Sequence, residues 1–453
     1  MSVKAGLSPQ KIELFENTPI PKAVCRLAIP TIISQLISMI YNLADTYFVG
    51  QLNDPNQVAA VSIAFPAVMM ITAITNFFGI GGSGLFSRYL GTREYDKARN
   101  VSSFCFYTSI GVCAIYCIAA LIFIDPIMRL LGASDATLGF SRTYAMWVVV
   151  IGGIPSMLSM LLGNLIRAEG ASKQASVGMS MGGILNIILD PIFILPWGLD
   201  LGLAGAAIAT VLSNCASVVY FLFYLRKKDS VVSIRPSDYS TKGVLGPVAK
   251  NGIPAFIQSL LPIISNTILN NMAVAYDDCA VAAIGIVKKV DIFAMNVTMG
   301  MSQGILPLLA YSYSSGRYKR MFAARRFALT ASIAFCAVCI VVFELFPSHA
   351  ISLFIKDAKT VAYGAEFLRI QCLATPFMAI NFSTVSTFQA VGTPKQAMAV
   401  TLVRKGILDA PMYLLLDLLF PLVGLMCVQP IMDFISSMVS ICLMARFKKK
   451  LMK

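Results

Sequence analysis

Charge is scarce in this chain. Only 13% of its 453 residues are Asp, Glu, Lys or Arg, about half the usual share for a soluble protein, which excludes an ordinary soluble enzyme and a disordered chain. Histidine is almost missing: the single one, His349, stands beside Pro347 in a short loop. One histidine cannot build a metal site, so it reads as a surface residue. No P-loop, no HExxH and no nucleophile–base pair occurs. Catalysis needs a convergent constellation, so neither an enzyme nor a cofactor is expected. Gly79-Ile-Gly-Gly-Ser-Gly84 fits GxGxxG literally, but it follows an apolar helix instead of a strand and reads as close helix packing by small residues. The cysteine count, eleven, is odd, which argues against a full disulfide framework. Cys336-Ala-Val-Cys339 falls in the middle of an apolar run and reads as small apolar packing, not as a redox pair. A cleavable signal peptide is not visible. The first twenty residues are polar and of mixed charge, so the first apolar run acts as the targeting signal.

What the chain has in abundance is oil. Hydrophobic residues make up 57%, and the mean hydropathy is +0.76. A bilayer-spanning helix needs roughly 20 mostly apolar residues, and the runs predict twelve spans. They cover about 27–49, 58–86, 101–125, 139–163, 175–196 and 203–225, then 251–275, 279–311, 327–347, 360–388, 397–420 and 424–445. The fifth is expected to break or kink at Asp190-Pro191, because Pro191 has no N–H and clashes with the carbonyl one turn back. Twelve spans put both termini on one side of the membrane. That side receives 27 of the 36 Lys and Arg residues, the other side 5, and 4 lie within spans, so the basic side is cytoplasmic. The net charge of +14 thus marks topology and contact with anionic lipid headgroups. Nucleic acid is not an expected partner.

The chain also repeats itself. Arg167-Ala-Glu-Gly-Ala-Ser-Lys-Gln-Ala175 aligns with Gln389-Ala-Val-Gly-Thr-Pro-Lys-Gln-Ala397, Ala28-Ile-Pro30 with Gly252-Ile-Pro254, and Asp190 with Asp409. Three landmarks in one order at nearly constant offset indicate duplication. The expected fold class is an all-α polytopic membrane protein with twelve transmembrane helices in two six-helix lobes. The lobes are 1–225 and 251–453, joined by a polar cytoplasmic linker at 226–250 that begins Arg226-Lys227-Lys228. Six spans each give both halves the same orientation, hence a pseudo-twofold along the membrane normal with a cleft between them, the layout of an alternating-access transporter.

Polar residues inside oil need a reason, since a lone charge there costs about 2.5–3.5 kcal/mol on insertion scales. Asp45 lies near the outer end of the first span with Tyr41 one turn earlier. It is either an interfacial carboxylate reaching for water or a carrier of a cation. Asn186 and Asp190 are i, i+4 in the fifth span and share a face. With carbonyls loosened by Pro191 they make a hard-oxygen site for Na⁺, or a carboxylate that takes up a proton, and Thr210 of the sixth span adds a hydroxyl. The alternative is a helix end capped by polar groups. In the second half, Lys405 and Asp409 (i, i+4) are expected to form an internal ion pair. Lys288 and Asp291 (i, i+3) are expected to pair, leaving Lys289 to point elsewhere, into a cavity. Lys289, Asp291, Lys405 and Asp409 are therefore the candidate substrate-cavity residues of that half.

Leu43-Ala-Asp45-Thr-Tyr-Phe-Val-Gly50, the Arg167–Ala175 loop and Leu185-Asn186-Ile-Ile-Leu-Asp190-Pro191 together resemble the multidrug and toxic compound extrusion (MATE) transporters, in particular the DinF- and MepA-like branch. The resemblance covers essentially the whole chain. It implies a plasma (inner) membrane antiporter, active as a monomer, that exports small cationic amphiphilic drugs in exchange for H⁺ or Na⁺. It also implies a V-shaped molecule and an ion site in the N-terminal lobe, here at Asp45, Asn186, Asp190 and Thr210 with Tyr41 nearby. Those four are the metal ligands only if the coupling ion is Na⁺. Other branches carry a carboxylate in the seventh span, and Phe256–Met272 has none. Pro30 in the first span and Pro191 are candidate hinges. Related lipid-linked sugar flippases share the architecture, and the cations Lys289, Arg404 and Lys405 keep a flippase for an anionic lipid substrate as the competing reading.

Overall fold

The computed structural model describes residues 6–52, 54–226, 230–276, 278–406 and 408–452; Lys227 and Lys228 of the basic linker lie outside them. The described residues contain helices and no strands. In chain order these are α1 (Pro9–Glu16), α2 (Ile20–Gly50), α3 (Pro55–Gly91), α4 (Tyr95–Ile122), α5 (Ile124–Leu130) and α6 (Asp135–Ala145). A π-helical turn at Met146–Ile151 leads into α7 (Gly153–Ala168), followed by α8 (Ser172–Ile194) and α9 (Gly202–Leu225). The second half holds α10 (Leu245–Val274), α11 (Asp278–Ser314), α12 (Tyr318–Leu345), α13 (Pro347–Ser352), α14 (Ala358–Cys372), α15 (Thr375–Val391), α16 (Pro394–Lys405), α17 (Asp409–Leu419) and α18 (Val423–Leu451).

Among the described residues, eight helices are individually long and apolar enough to cross a bilayer, namely α2, α3, α4, α8, α9, α10, α12 and α18. Asp135–Ile151 and Gly153–Ala168, which meet at a 48° bend, are together long and apolar enough for a ninth. The π turn and the Gly152-Gly153 pair account for that bend, since both loosen the helical ladder. The other three expected spans are interrupted by polar chemistry or breaks. α11 carries Lys288, Lys289 and Asp291, α14 and α15 part just before Thr375-Pro376, and α16 and α17 part around Gly406. The chain is thus an all-α polytopic membrane protein. The fifth span differs from expectation, because α8 is not interrupted at Asp190-Pro191 but runs one further turn to Ile194. So near a helix end, proline forfeits only the single bond to the Ile187 carbonyl.

Helix starts follow local rules. Asp54 accepts the Asn56 N–H at 2.9 Å ahead of Pro55, Ser134 and Thr137 form a reciprocal capping box on α6, and Asp357 accepts the Thr360 N–H at 2.8 Å. The Gly79–Gly84 stretch lies inside α3 and packs as small residues do. A Cβ on Gly79 would sit 2.8 Å from Asn164 Nδ2 of α7, and one on Gly81 2.8 Å from Gly252 Cα of α10. All eleven cysteines are free, and His349 is exposed on α13.

The molecule divides into two compact units. The first takes the chain as far as Thr18 and then Ile33–Ser259; the second takes Pro19–Ile32 and everything from Leu260 onward. Of the three changes of membership, one falls between α1 and α2 and the other two fall inside helices, in α2 and in α10. Within the second unit, α11 has Gly300 and Gly304 where the base of α2 lies. A Cβ there would come within 2.8 Å of Ile32 Cα and 2.6 Å of Ala28 Cα, respectively. Gly81 against Gly252 is the counterpart within the first unit.

Candidate functional site

Four elements of the first unit bring polar groups together inside apolar helices. On α8, Asn186 and Asp190 are one turn apart, 2% and 0% exposed. Asn186 Nδ2 donates to Asp190 Oδ1 at 3.0 Å and to Thr210 Oγ1 of α9 at 3.4 Å. Thr210 is held in turn by its neighbour Asn214, which donates to the Thr210 carbonyl at 3.0 Å and to Ser156 Oγ of α7 at 3.1 Å. The small residues of α8 let its neighbours close in. A Cβ on Gly183 would lie 3.0 Å from Ile37 and 3.1 Å from Tyr41 Cδ1, so α2 approaches α8 at the level of the site.

Three buried oxygens in this group have no hydrogen-bond partner: Asp190 Oδ2, Asn186 Oδ1 and Asp45 Oδ1. A buried acceptor left unsatisfied costs about 1–3 kcal/mol, and a proton or a small cation is the kind of partner such oxygens can take. The two carboxylates act on each other electrostatically. Tyr41 and Tyr144 both feel the charges of Asp45 and Asp190. Tyr144 was not among the residues singled out from sequence. It stands one position before Ala145 and the π turn that re-aims the fourth span, and π turns recur at functional sites; that local irregularity is invisible in an apolar run.

Beside Asp45 opens a cavity of about 280 Å³ lined by Asp45, Thr46, Val49, Val58, Val61, Ser62 and Phe65. Its walls are apolar apart from two hydroxyls and the carboxylate. Among the described residues no group of three or more His, Cys, Asp or Glu could hold a metal ion. An alkali ion would be held by two carboxylates plus the neutral oxygens of Asn186 and Thr210.

The second-unit residues are arranged differently. Lys405 Nζ lies 3.8 Å from Asp409 Oδ2, which also accepts from Ser265 Oγ at 2.7 Å. Lys288 does not turn to Asp291, because Asn266 Oδ1 of α10 offers a nearer acceptor at 2.6 Å. Asp291 Oδ2 instead receives the amides of Gln371 at 3.4 Å and Gln429 at 3.3 Å. Lys289 is exposed on α11. Arg404 pairs with Asp433 of α18 at 2.5 Å, and Asn381 also donates to that carboxylate. Arg404 was singled out from sequence but its partner Asp433 was missed, because no spacing rule links α16 to α18. Pro30 and Pro191 both lie inside continuous helices, and the change of unit along α2 comes between Ile32 and Ile33, just past Pro30.

The MatE family model matches twice, at residues 30–192 and 254–415, one match per half. The multidrug export protein MepA of Staphylococcus aureus (strain MRSA252) is 31% identical over 419 residues, covering 92% of each chain. MepA of Staphylococcus saprophyticus is 30% identical over 424 residues with the same coverage. Among solved structures, an outward-facing multidrug resistance MATE family transporter of the MOP superfamily aligns with a TM-score of 0.93 at 24% identity, covering 99% of both chains. A MOP superfamily transporter from Pyrococcus furiosus, described as having a binding pocket of reverse polarity, aligns at 0.91 and 24%, covering 99% of this chain and 100% of that one. At that identity the structural likeness bears on the fold.

Proposed function

The chain belongs to the MatE family of transporters, and from that premise we propose that it is a multidrug efflux antiporter that exports cationic amphiphilic compounds in exchange for H⁺ or Na⁺. It is a multi-pass membrane protein and not an enzyme. The single observation that carries the reading is the set of unpartnered buried oxygens on Asp45, Asn186 and Asp190 beside an apolar cavity. With both carboxylates ionised, a lipophilic cation is drawn to the cavity: its charge meets Asp45 and its body meets Val49, Val58, Val61 and Phe65. In a low-dielectric site the same oxygens do not hold two cations at once. A proton or Na⁺ arriving from outside neutralises them and releases the organic cation outward, and alternating access of the duplicated halves 1–225 and 251–453, joined through 226–250, resets the site. Pro30 is the hinge of this cycle. The protein works as a monomer in the plasma (inner) membrane with both termini cytoplasmic, in keeping with its basic loops.

The test is uptake of a cationic dye into inside-out vesicles under separately imposed Na⁺ and proton gradients. Asp45→Asn and Asp190→Asn are each expected to cut uptake by about ten- to hundredfold at equal abundance, the range set by 1.5–3 kcal/mol for a charged hydrogen bond. Wild-type uptake in both variants overturns the proposal. Dye uptake indifferent to both gradients, with an anionic lipid moved instead, transfers the chain to the flippase reading.

A further inference from the structure

Among the described residues Glu169 is the most completely enclosed acid outside the candidate site, at 0% exposure, and no step of transport uses it. Its carboxylate collects four donors from three separate stretches of chain. Lys11 Nζ of α1 lies 3.0 Å from Oε1, and the Tyr224 hydroxyl at the end of α9 donates to Oε1 at 2.9 Å. The Ser230 hydroxyl and the Val231 N–H, where the linker begins, donate to Oε2 at 3.0 and 2.9 Å. Gly170, next in sequence, has φ of +88°, and a Cβ there would meet Phe15 of α1 at 2.7 Å.

From this anchor the linker runs along α4. Ser102 and Ser103 donate to the carbonyls of Ser233 and Arg235 at 3.1 and 2.9 Å, and Tyr107 donates to that of Ile234 at 2.8 Å. Tyr239 then stacks on Phe104 at 6.2 Å between ring centres. Duplication supplies an internal control. The matching turn of the second half has Val391 in place of Glu169 and Gln389 in place of Arg167, although Gly392 keeps the same left-handed backbone with φ of +77°. The acid is present only in the half that has a linker and an N-terminal helix to hold.

We propose that Glu169 is a positioning residue, a clasp that makes residues 230–239 and α1 fixed parts of the first unit's cytoplasmic end. The linker thus belongs with the first unit, and the change to the second comes only at Ser259–Leu260, within α10. Lys11 and the Val231 N–H can only donate and lie on opposite oxygens, so a carboxylate satisfies both and an amide cannot. The Glu169→Gln substitution keeps the size, sets an NH₂ group against donors and discards the ion pair.

Hydrogen exchange on the full chain in nanodiscs reads the clasp without reference to transport, so it stands or falls separately from the antiport proposal. Wild-type amides at 231–235 are expected to be protected, and Glu169→Gln to speed their exchange about tenfold or more while α4 and α9 keep theirs. Lys11→Met is expected to loosen α1 and leave 231–235 protected. Unchanged protection at 231–235 in Glu169→Gln overturns the proposal. So does an equal loss across α4 and α9, which would make Glu169 a general fold stabiliser instead of a clasp.

Discussion

Asn186 uses one amide nitrogen to hold two oxygens, those of Asp190 and Thr210, on different helices. Asn186→Ala removes that shared donor and leaves Asp190 with both oxygens bare. The expected outcome separates the two ions, measured as dye uptake against ion concentration: about tenfold tighter apparent affinity if the coupling ion is a proton, because the donor that favoured the bare carboxylate is gone, and weaker affinity if it is Na⁺, because the Asn186 oxygen is lost as a ligand. Much of this site was legible in the letters. Asn186 and Asp190 stood out because i, i+4 polar residues in an apolar run declare a shared face, and Thr210 followed as a hydroxyl in the next span. Tyr144 did not, because its place depends on a π turn. The Lys288–Asp291 expectation failed because spacing along one helix says nothing of acceptors such as Asn266 that a neighbouring helix presents.

The helices themselves divide in the same way. Hydropathy located the crossings, while breaks such as those before Thr375 and around Gly406 arise where polar and proline residues meet tertiary packing, which a window average smooths over. Two element-scale outcomes follow from close approach. Gly81→Val and Gly304→Val each push a side chain into another helix's backbone at under 3 Å, and overpacking of that kind costs about 1–3 kcal/mol or more. Both variants are expected to lower the thermal midpoint in detergent, and by similar amounts because the two sites are duplicates. Pro191→Ala returns an N–H to the Ile187 carbonyl. It is expected to raise that midpoint modestly and to slow dye turnover, whereas unchanged turnover would strip Pro191 of any hinge role.

At the scale of the whole molecule, neither compact unit is a contiguous stretch of chain. The first needs residues up to Ser259, and the second needs Pro19–Ile32. A chain split near Gly243 is therefore expected to be degraded as either fragment alone and to recover dye transport when both are co-expressed, read by immunoblot and uptake. Recovery of one fragment by itself would contradict this division of the helices. The two-fold repeat predicted from Arg167–Ala175 and Gln389–Ala397 is met by the two family matches, but no repeat count foretold that α2 and α10 would each be shared between units.

That sharing has a consequence for biosynthesis. The segment Pro19–Ile32 leaves the ribosome among the first and meets its permanent neighbours on α11 only once well over half of the chain has followed. At roughly 5–20 residues per second of synthesis it waits tens of seconds in an unfinished setting. During that interval the nascent protein holds an orphaned half-helix, and a translation product that stops before α11 leaves it without its neighbours.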